Sequence, residues 1–261
     1  MNNLFSAFKN YISKIKVIRL LYEKILLFQC SNKEFLEKNL LNKINFDLML
    51  QDKNIENEYS KISEEIEQIE IPNLTGGMGP TDRKVIYKLI KAIKPKKVLE
   101  IGTHIGSSTV IIAKALYEEN ENNLLKTVDF RDVNDDLNKP WLKFKSKNSP
   151  LNNLKFLNVQ NIVEFKTEDS LEFLKKETDK YNLIFLDGSH RSDHVYKEVA
   201  LALKLLAPNS LILLHDYYPN SNPIPGPNEA VKRIRRENKL INIHHFANWQ
   251  SSLAILFKNN T

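Results

Sequence analysis

Groups able to do acid–base and ligand-binding chemistry sit at a few short stretches of this chain, each at the end of an apolar run. "VLEIGTHIGSST", residues 98–109, offers Glu100, Gly102, Thr103, Gly106, Ser107 and Ser108, "TVDF" offers Asp129, and "TEDS" offers Glu168, Asp169 and Ser170. "IFLDGSH" supplies Asp187 and His190, and "LLHDYY" supplies His215, Asp216, Tyr217 and Tyr218. Imidazole can accept a proton near neutral pH, so His190 and His215 are candidate general bases. All seven glycines fall between residues 76 and 226. A chain this sparing keeps glycine where its backbone must bend or approach something closely.

The first stretch discriminates between ligands. Dinucleotide folds use G-x-G-x-x-G to press backbone amides onto a pyrophosphate. Here the spacing is G-x-x-x-G, and Glu100 stands two residues before Gly102. An acid at that place repels pyrophosphate but can pair, directly or through water, with an amino group. Asp129, 27 residues beyond Gly102 and at the end of the next apolar run, is placed to accept hydrogen bonds from both ribose hydroxyls. An amino acid joined to a ribose nucleoside is S-adenosylmethionine (SAM). An NAD-dependent dehydrogenase shares the sheet type, but requires the tighter glycine spacing and leaves "DGSH" and "HDY" without a role.

The elements that position these groups begin near residue 73. Residues 1–70 contain neither glycine nor proline, and Leu4, Phe8, Tyr11, Ile15, Ile18, Tyr22 and Ile25 keep the spacing of an amphipathic helix. Residues 1–72 therefore read as a helical N-terminal extension, and 73–261 as the catalytic domain. In the latter, apolar strand-like runs ("KVLEI", "LLKTVDF", "IVEFKTE", "YNLIFLD", "SLILLHD") alternate with amphipathic helical ones. That pattern predicts an α/β fold, a doubly wound Rossmann-like parallel sheet covered on both faces, whose ligands bind beyond the carboxyl ends of the strands. "LINIHHFAN" and "SSLAILFK" follow each other with no helix between them and predict a terminal antiparallel hairpin.

In this order the motifs resemble class I SAM-dependent methyltransferases, most closely the small-molecule O-methyltransferase branch that includes the macrocin and catechol O-methyltransferases. The resemblance covers about residues 76–258. It implies a seven-stranded sheet in the order 3-2-1-4-5-7-6 with strand 7 antiparallel, and methylation of a hydroxyl on a sugar or other small metabolite. It also implies Glu100, Gly102 and Gly106 around the methionine moiety, Asp129 on the ribose, and Asp169 and Ser170 near the adenine. "GGMGP", at 76–80, resembles the segment that closes over cofactor and substrate and brings Met78 to the methyl-donor pocket; otherwise it is a turn, with Thr81 or Asp82 capping the next helix.

By the same resemblance a divalent ion, usually magnesium, is held by Asp187 and by the pair His215 and Asp216. His215 departs from the family's acid pair and makes a softer donor set than magnesium prefers. Two arrangements stay open: a metal on Asp187 and Asp216 with His215 in support, or no metal and His190 or His215 as base. His194 shares a helical face with His190 and reads as structural, and His104 reads as a loop residue. Tyr217 and Tyr218 could wall an acceptor pocket. The polar insertion at 131–150, with Trp141, is a substrate lid or a surface connection.

Composition narrows the partners. The net charge of +6 is spread along the chain among acids and amides, so nucleic acid is the less favoured acceptor. The 42% apolar fraction contains no run near the ~20 residues needed to cross a bilayer. A single cysteine, Cys30, forms no internal disulfide, and a reducing cytoplasm is the expected compartment. The first 22 residues carry Lys9, Lys14, Lys16 and Arg19 and no acid. This helix is expected to pack on its own domain or on a second copy, giving a homo-oligomer, with peripheral membrane contact as the alternative. A non-catalytic SAM-binding or assembly module is the reading from another functional class.

Overall fold

The computed structural model describes residues 2–31, 45–73, 76–220 and 223–258. Seven strands form one sheet: β1 (Lys97–Ile101), β2 (Leu124–Asp129), β3 (Val163–Thr167), β4 (Tyr181–Leu186), β5 (Leu206–Leu214), β6 (Ile241–His245) and β7 (Ala254–Lys258). Their order is β3-β2-β1-β4-β5-β7-β6, with β7 antiparallel to both β5 and β6 and the remaining pairs parallel. This is the doubly wound sheet and terminal hairpin expected from the sequence.

The central strands are apolar on both sides because both faces are covered. On β4, Leu183 and Phe185 enter one hydrophobic cluster, and Ile184 and Leu186 enter the other. The first cluster packs α4 (Pro80–Ile93) and α5 (Ser107–Glu119) with Leu154 of α6 (Pro150–Phe156). The second packs α7 (Ser170–Lys176), α8 (Ser192–Leu203) and α9 (Pro225–Glu237).

The N-terminal helices join these layers. Phe46 of α2 (Phe46–Met49), and Ile62 and Ile66 of α3 (Lys53–Glu67), belong to the same cluster as α4 and α5. Glu56 of α3 pairs with Lys84 at 2.5 Å and Lys88 at 2.6 Å on α4, so α3 covers one face of the α/β layers. The first helix, α1 (Asn2–Ser31), docks on α8 and α9 through a polar knot around Glu23. Glu23 is fully buried and faces Arg233 at 2.5 Å and Lys197 at 3.4 Å, while its carbonyl accepts from the Tyr196 hydroxyl at 3.2 Å. Leu27 completes the contact.

Ile15, Ile18, Tyr22 and Ile25, the expected apolar stripe, therefore point outward and are 46–67% exposed. The helix packs on its own domain as anticipated, but by a different face, because the buried acid and its cations govern the docking. The side chains of Leu4, Phe8, Tyr11 and Cys30 lie outside the described residues.

The carboxyl end of β1 turns at Gly102, whose φ is +100° and whose absent Cβ leaves room for the Asp187 carbonyl at the end of β4. Gly102→Ala should therefore lower stability by about 1–3 kcal/mol from backbone strain alone, with the steric clash added. Urea unfolding would measure this, and a variant as stable as wild type would remove the close approach.

Candidate active site

The loop between β1 and α5 forms the floor of a cavity of about 410 Å³ whose walls come from the ends of β1, β2, β3 and β4. Gly102 and His104 line it from the first strand end, Asp129, Phe130 and Arg131 from the second, Asp169 and Ser170 from the third, and Asp187 from the fourth. Gly106 gives α5 its start at φ +80°, where a Cβ would press on the Pro150 ring at 2.9 Å.

Other residues expected around the cofactor are turned inward. Glu100 is fully buried and accepts hydrogen bonds from Ser108 at 2.5 Å, Thr109 at 2.6 Å and Thr127 at 2.6 Å. Thr103 pairs with Thr127 at 2.6 Å between hydroxyls. The Ser107 hydroxyl accepts from the Met78 amide at 2.9 Å, and the Met78 side chain is buried. Glu100, Thr103, Ser107 and Ser108 thus brace the loop from beneath and are not among the residues lining this cavity.

Asp129 accepts from the His104 amide at 2.8 Å and from the Arg131 amide at 3.0 Å, one on each oxygen. With Arg131 Nε at 3.2 Å and Nη2 at 3.5 Å the roughly four acceptor sites of the carboxylate are all taken, so a pair of ribose hydroxyls would have to displace the Arg131 guanidinium. Arg131 also sends its guanidinium to His104 Nδ1 at 3.1 Å. Phe130 is 72% exposed at the cavity edge beside Asp129, with the Arg131 guanidinium over its ring at 5.0 Å from the centroid.

Asp169 caps α7, accepting from the Leu171 and Glu172 amides at 3.0 and 3.1 Å through one oxygen. Ser170 donates to Glu198 at 2.6 Å and meets His194 Nε2 at 3.0 Å. The hydrogen bond to Glu198 raises the His194 pKa above the usual histidine value. His104, Phe130, Arg131, His194 and Glu198 are site residues that sequence reasoning missed. Two of them directly follow Asp129, and His194 with Glu198 form an i, i+4 pair, so signals were present for these four.

Beyond Asp187 lies a cluster of acids and imidazoles at the ends of β4 and β5. His190 Nε2 is 2.8 Å from Asp216, and Asp216 holds its pKa above the ordinary value. His215 is enclosed: Nδ1 meets Asp187 at 2.9 Å and Nε2 meets Asp82 at 3.2 Å. Burial opposes charge on His215, but Asp187 and Asp82 outweigh it and hold its pKa well above the usual value.

His215 therefore differs from its expected role. With a carboxylate at each ring nitrogen it has neither nitrogen open to an acceptor, and among the described residues the three groups whose donor atoms lie within 4.8 Å of one another are Asp187, His190 and Asp216. Asp82 differs too: Gly79 takes the N-cap position of α4, and Asp82 reaches across to the turn before β7, accepting from the Ser252 amide at 3.0 Å and from the Ser251 hydroxyl.

The flanking segments are structural. Tyr217 is buried and packs edge-on against His245 at 5.3 Å between centroids, whereas the Tyr218 hydroxyl donates to Asp216 at 3.3 Å. Trp141 of the insertion is buried in the core, and Phe144 packs edge-on against His104 at 4.2 Å between centroids. The insertion buttresses the cavity wall.

Comparison with known proteins agrees with this geometry. Residues 99–217 match the family described as a methyltransferase domain. No curated protein matches the chain significantly in sequence. Among solved structures, the O-methyltransferase TomG from Streptomyces achromogenes, involved in tomaymycin synthesis and in complex with SAM, is 18% identical over 80% of this chain and 91% of its own, with a TM-score of 0.52. The Podospora anserina methyltransferase PaMTH1, bound to S-adenosylhomocysteine (SAH), is 17% identical over 76% and 87%, with a TM-score of 0.56. An O-methyltransferase from Bacillus cereus in complex with SAH is 17% identical over 80% and 92%, with a TM-score of 0.52. The fold is theirs. The stretch that matches the methyltransferase-domain family runs from β1 to just past β5 and holds the strand ends that line the cavity.

Glu100 carries a testable consequence. Burial raises its pKa from 4.5 to about 7, against the lowering effect of the Ser108, Thr109 and Thr127 hydroxyls. The folded state thus holds this proton more tightly than the unfolded chain, and the group's contribution to stability falls as pH rises from about 4.5 to about 7. Between about pH 5 and about pH 7.5, wild type should lose more stability than Glu100→Gln in denaturant titrations. Equal slopes would show that Glu100 titrates normally.

Proposed function

We propose that this chain transfers the SAM methyl group to a hydroxyl oxygen of a sugar or other small metabolite. The observation that carries this proposal is the double position of Asp187, which lines the cofactor cavity and also belongs to the acid–imidazole cluster beside it. A sulfonium methyl group is already activated, so the protein has to align an acceptor oxygen and remove or mask its proton. The cavity holds the cofactor by Asp129 at the ribose, with Asp169, Ser170 and Phe130 toward the adenine.

Asp187, His190 and Asp216 fit a divalent ion, with two carboxylate oxygens and one imidazole nitrogen converging. That donor set suits manganese or another transition ion better than magnesium. When bound, the ion lowers the pKa of an acceptor hydroxyl. In its absence His190, half-exposed and oriented by Asp216, is the group that takes the proton. A polyhydroxyl acceptor suits polar walls, while Asp82, Asp187 and Asp216 disfavour the phosphates of a nucleic acid. That an O-methyltransferase involved in tomaymycin synthesis has the same fold supports the same choice.

Asp187→Ala should lower kcat by at least about 100-fold, with SAH affinity changed by no more than a few-fold in calorimetry. Turnover measured on a saccharide panel with EDTA, then with added manganese, tests acceptor and metal together. Full activity of Asp187→Ala would overturn its role, and activity indifferent to EDTA would leave His190 as the base.

We further infer a cytoplasmic homo-oligomer. None of the described helices is long and apolar enough to cross a membrane. The outward face of α1 carries Leu21 and Ile25, which are 57% and 46% exposed. Arg19 and Glu23 turn toward α8 and α9, so a second copy can cover the stripe without burying charge. Leu21→Glu with Ile25→Glu should convert a dimer to a folded monomer in light scattering. A wild-type monomer would overturn this, and binding to anionic vesicles, aided by the exposed Lys16 and Lys24, would point to a membrane instead.

A further inference from the structure

The acid expected at the cofactor ribose already has a partner. Asp129 is buried, and its two oxygens accept from the His104 and Arg131 amides, main-chain bonds that fix the carboxylate in place. The Arg131 guanidinium adds Nε on one oxygen at 3.2 Å and Nη2 on the other at 3.5 Å. Among the described residues Arg131 is the cation within ion-pair reach of Asp129. These bonds use the roughly four acceptor sites of a carboxylate, so ribose hydroxyls can enter only where the guanidinium leaves.

The guanidinium bonds are the ones that can be given up. The amides cannot move without rearranging the loops after β1 and β2, whereas a partly exposed arginine side chain changes rotamer readily. The pair also carries little of the fold. It joins residues two apart on one loop, in contrast to Glu23 with Arg233 and Glu56 with Lys88, which tie separate helices together. The Arg131 side chain is 32% exposed, so its charge stays in contact with water once the carboxylate is lost. Its Cζ already lies 5.6 Å from the centre of the Phe144 ring, a face that attracts a cation without any acid.

The two occupants of Asp129 are not equivalent. Ribose hydroxyls are neutral donors that hydrogen-bond a carboxylate but leave its charge uncompensated, while Arg131 does both. Binding of a ribose therefore exchanges an ion pair for neutral hydrogen bonds, and the hydroxyls contribute only the difference to affinity.

We propose that Arg131 is an internal competitor for the ribose subsite: its guanidinium holds the Asp129 oxygens that the ribose hydroxyls need, and retreats toward Phe144 and water when they arrive. The competition rests on the assignment of the cavity to SAM. Because SAM and SAH share the ribose, Arg131 loosens the product as much as the substrate. That property speeds turnover wherever product departure limits it.

A calorimetric cycle of two proteins and two ligands tests the competition. The proteins are wild type and Arg131→Met, whose side chain keeps an unbranched stem and has no donor; the ligands are SAH and its 2′,3′-dideoxy analogue. Arg131→Met should bind SAH about 3- to 10-fold more tightly than wild type, and the dideoxy analogue within about twofold of wild type. Arg131→Lys, a donor without the fork, should fall between the two proteins. Unchanged or weaker SAH binding in Arg131→Met would overturn the proposal, the latter by making Arg131 a ligand contact. An equal gain for both ligands would also overturn it, by showing that Arg131 merely obstructs the cavity. Wild type alone supplies a further check that needs no variant to fold: it should prefer SAH to the dideoxy analogue by no more than about 10-fold, and a larger preference would mean that the hydroxyls meet no competitor. Failure of wild type to bind either ligand would instead remove the SAM assignment itself.

Discussion

The contact on which the site depends is the close approach of two backbones at the centre of the sheet, where Gly102 at the end of β1 passes the Asp187 carbonyl at the end of β4. Strand order reverses there, with β2 on one side of β1 and β4 on the other. The loop after β1 and Asp187 of the acid–imidazole cluster are therefore held against each other by main chain, with no side chain to adjust between them. Methyl transfer needs its two reacting atoms in line at short range. Fixing loop and acid through the two strand ends is a rigid way to meet that need.

Around this contact the charges are arranged in two states of neutralisation. His215 is saturated: enclosed by Asp187 and Asp82, it stays charged and acts as a rivet between β5, β4 and α4. His190 is half-exposed and tied to a single carboxylate. The same pair of residue types, histidine and aspartate, thus yields a structural imidazolium and a reachable one, and exposure decides between them. Asp82 holds the rivet from outside while also fastening the turn before β7, so the C-terminal hairpin is tied to the acid–imidazole cluster through one carboxylate.

Much of this was legible in the sequence. The alternation of apolar runs and amphipathic stretches specified the sheet, and Asp129, Asp169, Ser170 and Asp187 do line one cavity. What was not legible is rotational phase. Ser107, Ser108 and Thr109 are consecutive, yet Ser107 faces Met78 and Arg83 while the other two face Glu100. Residue type does not reveal which of them meets the ligand, because the phase is set by positive φ at Gly102 and Gly106. Phase also hid the outward apolar stripe of α1, whose docking side is chosen by the pairing of Glu23 with Arg233. Arg83 escaped notice and Asp82 was read only as a helix cap, because their partners lie on the loop after β1 and in the C-terminal half of the chain, beyond the reach of local patterns.

The docking of α1 bears on how the chain is made. Glu23 meets Arg233 and its carbonyl meets Tyr196, separations of 210 and 173 residues. During synthesis the first helix precedes both of its partners, and its Glu23 side is not fully covered until α8 and then α9 have followed. Native pairing of the N-terminal helix is therefore among the last events of folding, since contacts so distant in sequence close slowly. For most of its time on the ribosome the chain presents an apolar helix with a cationic leading end, available to chaperones and sibling chains before the catalytic domain exists to receive it.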